Sequence, residues 1–133
     1  FEDRTLTIET IPLKHKVPTC GFLFTEHHRD TEPRKRYAYC SDTAYREQIV
    51  EQIAGVDVLY HEATYTEKDA DKCKKYTHST AKHAAQIAKL AEAGRLIIGH
   101  FSAREDDHMV FLNEAQEVFA NTVLAEECKM IEI

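Results

Sequence analysis

Four short apolar runs in this sequence end in side chains that bind metals or move protons. Arg95-Leu96-Ile97-Ile98 leads into Gly99-His100-Phe101-Ser102-Ala103-Arg104; residues 8–13 end at His15, residues 37–40 at Asp42, and residues 58–60 at His61 and Glu62. A short β-rich run delivers the residue after it to the end of a buried strand, where sheets place ligands and catalytic groups. Strands lying side by side in one sheet would bring these ends together as His, Asp, His-Glu and His, the ligand chemistry of zinc. Convergence of the strand ends is therefore the working expectation.

The elements that must position these residues read as alternating strands and helices. Residues 6–13 and 20–25 are expected as strands, with Pro12 and Pro18 around the loop that holds His15. Residues 26–36 have no apolar periodicity and read as an exposed polar loop. Residues 37–40 form a short strand, after which Ser41-Asp42-Thr43 is expected to cap a helix to about residue 53, with Gly55 closing it. A strand follows at 58–60. Residues 66–75 are charged and ambiguous, helix or loop. His78-Ser79-Thr80 then stands as a cap ahead of a helix over 81–93, whose Ala81, Ala84, Ala85, Ala88 and Ala91 make a narrow face suited to close packing on a sheet, with Gly94 as its stop. A strand at 96–98, a helix over 108–119, and strands at 122–124 and 130–133 complete the pattern. Strand-helix alternation implies an α/β fold, a mixed sheet covered by helices on one face.

Composition narrows the setting. The 133 residues suit a single domain. A formal net charge of −6 gives no general electrostatic attraction to nucleic acid, so any RNA contact needs a local basic patch or a metal. Cys20, Cys40, Cys73 and Cys128 form no CxxC pair and read as free thiols in a reducing compartment. No run is long enough for a membrane helix and no signal peptide opens the chain, so a cytoplasmic protein is expected. The opening Phe1-Glu2-Asp3-Arg4 reads as a cut through a larger protein.

Five motifs make the reading specific. Pro12-Leu13-Lys14-His15, Tyr39-Cys40-Ser41-Asp42-Thr43, His61-Glu62-Ala63-Thr64, His78-Ser79-Thr80 and Gly99-His100-Phe101-Ser102 occur in this order. The chain thereby resembles ribonuclease Z, the tRNA 3′-processing endoribonuclease family of the metallo-β-lactamase superfamily. That resemblance implies half of an αββα sandwich and cleavage of the 3′ trailer from tRNA precursors by metal-activated water. It implies His15, Asp42 and His100 as ligands of zinc, with Asp42 bridging two ions, and Glu62 and His78 as the catalytic pair that assists proton transfer. It also implies Arg104 and Ser102 as substrate contacts. The chemistry suits the residue types: two metals about 3.5–4 Å apart need a small bridging carboxylate, and a histidine held by a glutamate is suited to donating a proton.

The departures are as informative. The family's HxHxDH motif, source of the other ligands and of the general-base aspartate, is absent from these residues. The chain is therefore expected to be the C-terminal half of the fold, residues 1–133 forming one domain, inactive or nearly so by itself and dimerising to hide the face its partner half would cover. Residues 26–36 stand where the family carries a long tRNA-gripping arm, and Glu105 stands where it often has tyrosine. Zinc and manganese both remain open. So do two other classes of function: a phosphodiesterase of the same fold acting on small substrates, and a metal-free interaction module. Plainer roles also fit single residues: Asp42 and His78-Ser79-Thr80 as helix caps, and His27, His28, His83 and His108 as solvated side chains. Arg34-Lys35-Arg36 and Lys72, Lys74 and Lys75 are candidate phosphate contacts, and Tyr65 and Tyr76 candidate stacking partners for a base.

Overall fold

The structure, a computed structural model, describes residues 1–27 and 34–133. The expected loop at 26–36 lies mostly outside the described residues. Six strands form one sheet in sequential order: β1 (Leu6–Pro12), β2 (Cys20–Glu26), β3 (Arg36–Cys40), β4 (Val58–Glu62), β5 (Arg95–Gly99) and β6 (Thr122–Leu124). The β1, β2 and β3 strands pair antiparallel, whereas β3, β4, β5 and β6 pair parallel. Both β1 and β3 run against β2, so β1 points the same way as β3, β4 and β5. Their C-terminal ends share one edge of the sheet, as the working expectation requires.

Among the described residues three α-helices connect the elements: α1 (Ala70–Tyr76), α2 (Ala81–Leu90) and α3 (Met109–Gln116). The β4–β5 and β5–β6 crossovers bring α2 and α3 together; α2 packs on β4 and β5, and α3 on β6. The small side chains of Ala81, Ala84, Ala85 and Ala88 are fully buried there against Leu59, Leu96 and Ile98. Alanine permits this close approach because nothing beyond Cβ holds helix and sheet apart. The helix starts on Thr80, whose hydroxyl accepts from the His83 amide at 3.1 Å while the Thr80 amide donates to His83 Nδ1 at 3.2 Å. This capping box makes His83 part of the fold, not a solvated side chain.

Alternation along the strands separates two faces. Leu23, Ala38, Cys40, Leu59, Leu96 and Ile98 point into the core under the helices. On the other face, register aligns Thr10, Phe22, Tyr39, Tyr60 and Ile97 in one row and Ile8, Phe24, Tyr37 and Val58 in the next. Tyr39 and Tyr60 stack at 4.8 Å between ring centroids, and Phe24 and Tyr37 at 5.7 Å. Burial pushes the Tyr37 and Tyr60 phenols up to about 12. On this face Val58 and Ile97 are buried, whereas Phe22 and Tyr39 remain 39% and 36% exposed.

Three expectations need correction. Residues 43–53 form no α-helix: a single 3-10 turn at Glu47–Ile49 and irregular turns carry the chain to Gly55. The reason lies in the amides. Thr43 donates to the Glu62 carboxylate at 2.6 Å and Ala44 to the Lys14 carbonyl at 2.8 Å, so the Ser-Asp-Thr segment is tied to the end of β4 and to the loop after β1 and caps nothing. Ile49 and Ile53 are nonetheless buried in the core. Helix α2 ends earlier than expected, and Glu92, at φ 51°, takes the left-handed position assigned to Gly94. Gly94 is needed for space instead: a Cβ there would lie 2.7 Å from the Asp57 carbonyl oxygen. Residues 130–133 form no strand.

His61 lies fully buried on β4, its Nδ1–H donating to the Glu62 carbonyl at 2.8 Å and its Nε2 without a partner among the described residues. Burial holds its pKa below the ordinary 6.5, because a charged ring there would lose its hydration. The unfolded chain therefore takes up the proton first as pH falls. This contribution to stability is full above pH 6.5, the unfolded value, and is lost progressively below it toward the lower folded value. Urea unfolding from pH 7.5 to 5 is expected to show this loss with a slope of up to about 1.4 kcal/mol per pH unit, and His61→Gln is expected to flatten it.

Candidate metal centre

The site is built at the shared edge of β1, β3, β4 and β5. Glu62, the last residue of β4, is fully buried and accepts from four donors. The Thr43 amide and His78 Nδ1 reach Oε1 at 2.6 and 2.9 Å; the Thr64 hydroxyl and the Ser79 amide reach Oε2 at 2.6 and 3.0 Å. A carboxylate taken out of water needs such partners, and with four it is satisfied as an acceptor. Glu62 thus clamps the loop after β3, the tip of β4 and the approach to α2.

Backbone bonds complete the clamp. Ser79 Oγ donates to the Thr43 carbonyl at 2.8 Å, and the Lys14 amide donates to Thr43 Oγ1 at 3.1 Å, which ties in the loop after β1. The Ala63 amide donates to the Gly99 carbonyl at 2.8 Å and the Ser102 amide to the Thr64 carbonyl at 3.0 Å, fastening the β4 tip to the β5 tip. His100 follows β5 directly with φ 60°, left-handed backbone that an L-residue adopts at a cost and that recurs at functional sites.

Asp42, Glu62, His78 and His100 each offer a ligand atom within 4.8 Å of the others. They are not equivalent. Both Glu62 oxygens are already engaged by protein donors, so Glu62 supports the group and Asp42 and His100 are its open pair. Asp42 Oδ1 lies 2.9 Å from His100 Nε2, yet it is buried and accepts no hydrogen bond from the described residues. A carboxylate oxygen left bare beside an imidazole nitrogen is the arrangement a cation completes. The donor set of carboxylate oxygen and imidazole nitrogen suits zinc or manganese alike.

His15 stands slightly apart, outside the four-residue cluster, its ring centroid 5.1 Å from that of His78, which is itself 5.4 Å from His100. Its Nδ1 donates to the Thr77 carbonyl at 3.0 Å, an interaction that requires the proton on Nδ1 and leaves Nε2 as a lone pair. The same logic applies to His78: Glu62 accepts at Nδ1, so Nε2 is the free position.

Ser102 and Arg104 lie beside this group. With Tyr65, Lys68 and Lys72 they line a cleft of about 170 Å³ next to Thr64. Glu105 pairs with Lys68 at 2.6 Å on its rim. On the other side, Lys14, Tyr45, Lys74, Thr77, His78 and His83 line a cavity of about 380 Å³. Lys16 and Lys75 each sit 5.1 Å from the ring of half-exposed Tyr76. The sequence reading missed Thr43, Thr64 and Ser79 as the connecting hydrogen-bonders; their presence inside the motifs was the available signal. His27, expected in solvent, bonds Thr7 at 2.7 Å, and His108 packs on Phe101 at 4.5 Å between centroids. His28 lies outside the described residues.

Comparison with known proteins bears on the family and the fold. Ribonuclease Z of Phocaeicola vulgatus is 39% identical over 176 residues, covering 100% of this chain and 57% of its own length. Ribonuclease Z of Azobacteroides pseudotrichonymphae is 44% identical over 160 residues, covering 100% and 55%. The chain spans about half the length of the curated relatives it matches. Among solved structures, the short form of human tRNase Z aligns with TM-score 0.72 and 29% identity over 100% of this chain and 45% of its own. The metallo-beta-lactamase fold protein YhfI of Bacillus subtilis aligns with TM-score 0.75 and 22% identity over 90% of this chain and 46% of its own, a likeness of fold. Residues 1–101 match the beta-lactamase superfamily domain. The chain is thus similar along its whole length to ribonuclease Z, and it belongs to the beta-lactamase superfamily.

Proposed function

We propose that this chain is the C-terminal half of a zinc-dependent endoribonuclease that removes the 3′ trailer from tRNA precursors. The observation that carries the reading is the Glu62–His78 pair beside the bare Asp42 oxygen and His100, in a chain about 40% identical to proteins named ribonuclease Z. In this reading Asp42, His100 and His15 hold the metal, which when bound supplies charge neutralisation at the phosphate and an acidified water. Zinc fits these donors; manganese would use the same atoms. Ligands and the general base of an HxHxDH motif come from outside these residues, so the chain by itself is inactive.

The chain's own residues then orient and protonate. Glu62 fixes His78 with Nε2 turned away from the carboxylate. As water attacks phosphorus, its proton going to the general base supplied from outside these residues, the P–O3′ bond breaks and the electron pair goes to the 3′ oxygen, which takes its proton from Nε2–H of a doubly protonated His78 ring whose Nδ1–H stays on Glu62. The products are a tRNA 3′ hydroxyl and a trailer with a 5′ phosphate. Arg104, with Ser102 beside it, meets phosphate on one flank; Lys14, Lys16, Lys74 and Lys75 form a basic rim on the other, local positive charge in an otherwise acidic chain. The short 26–36 segment replaces a longer arm in this reading, consistent with alignments that run over 176 residues against the 133 here. Cytoplasmic location fits four free cysteines, and no helix among the described residues is long and apolar enough to cross a membrane.

The test compares a tRNA precursor with a small phosphodiester, using protein that also carries the HxHxDH half, with zinc or manganese added. Cleavage of the precursor at the trailer junction is expected, with His78→Ala slower by about 10²–10⁴-fold. Hydrolysis of the small diester alone assigns the chain to another phosphodiesterase of this fold, and loss of neither metal nor activity in Asp42→Ala overturns the ligand assignment. The aromatic face with exposed Phe22 and Tyr39 is the surface a second copy covers when the other half is absent. Sedimentation of the isolated chain is expected to give twice 15.3 kDa; a monomer at high concentration contradicts that pairing.

A further inference from the structure

We propose that Thr64 is a positioning residue that fixes which nitrogen of His100 carries the proton, so that Glu62 presets both histidines of the site through one chain of hydrogen bonds. A threonine hydroxyl has a single hydrogen to donate. Thr64 Oγ1 stands 2.6 Å from Glu62 Oε2 and 2.9 Å from His100 Nδ1. The carboxylate oxygen offers only lone pairs, so the hydrogen goes to Glu62. The remaining contact is satisfied only when His100 Nδ1–H donates to the Thr64 oxygen.

His100 Nε2 is thereby free to present a lone pair beside Asp42 Oδ1, 2.9 Å away and without a hydrogen bond. His78 receives its orientation from the other oxygen of the same carboxylate. One buried glutamate therefore directs two rings, directly at Oε1 and through Thr64 at Oε2. Ordered outer partners of this kind raise ligand basicity and hold the ring, and their loss weakens metal binding by about 10–100-fold. Thr64 is held in place to act in this way, since it is buried and its carbonyl is fixed by the Ser102 amide at 3.0 Å.

The proposal rests on the reading of Asp42 and His100 as a metal pair, but its first readout needs no metal. Nitrogen-15 NMR of the metal-free chain, at about pH 8.5 and so above the ordinary histidine range, is expected to show His100 with Nδ1 protonated. Thr64→Val, close in shape but without the hydroxyl, is expected to move the proton to Nε2 and to weaken zinc about 10–100-fold in a chelator competition. Thr64→Ser keeps the hydroxyl and is expected to restore both. A purely structural threonine would lower the unfolding midpoint in Thr64→Val without moving the proton. A bare Nδ1 in the unaltered chain, or the same protonation in Thr64→Val, overturns the proposal. If Thr64→Val does not fold, the unaltered chain and Thr64→Ser still decide it. A protonated Nδ1 with no zinc bound by any of the three proteins would sink the metal reading and leave the relay standing.

Discussion

The buried Glu62 carboxylate is the constraint on which the site depends. Taking a carboxylate out of water is costly unless hydrogen bonds replace its hydration, and here the replacements come from Thr43, Thr64, His78 and Ser79. These donors lie on segments separated by much of the sequence. Satisfying one side chain therefore fixes how the β3 exit, the β4 tip and the start of α2 meet. The same bonds aim Asp42, His78 and His100 at a common point. Structure and site share this one solution, so a change that frees any donor disturbs both.

Topology explains why the site is at this edge. A sheet whose parallel strands are joined by crossovers gathers its strand exits at one end, where loops have freedom to carry polar groups. The antiparallel β1–β2–β3 turn-back returns β1 to the same sense, which adds His15 to the exits of β3, β4 and β5. Helices α2 and α3 lie on the other side of the core layer from the aromatic rows, so the two faces of the sheet differ: one is packed under helices, and the other leaves Phe22 and Tyr39 partly exposed.

Much of this is legible in the residues because it follows period and punctuation. Alternation marks the strands, the alanine stripe marks α2, and polar residues after short apolar runs mark the site edge. The segment after Asp42 misleads because its isoleucines bury at helical spacing while its amides bond to Glu62 and Lys14, partners remote in sequence. His83 and His61 are poorly legible for a related reason: one serves a cap and the other is buried in the sheet, and neither role leaves a pattern in neighbouring residues. The relay through Thr64 needs distances, since motif spacing records which residues are near and not which one holds the proton.

The most direct test of this account is the unfolding free energy of Glu62→Gln in urea against the unaltered chain. The amide preserves size but sets a donor group where only acceptor positions are satisfied. A loss on the order of 3 kcal/mol is expected, as when one partner of a buried, hydrogen-bonded charge is neutralised. Equal stability of the two proteins would contradict it, because the carboxylate would then not be what holds the site segments together.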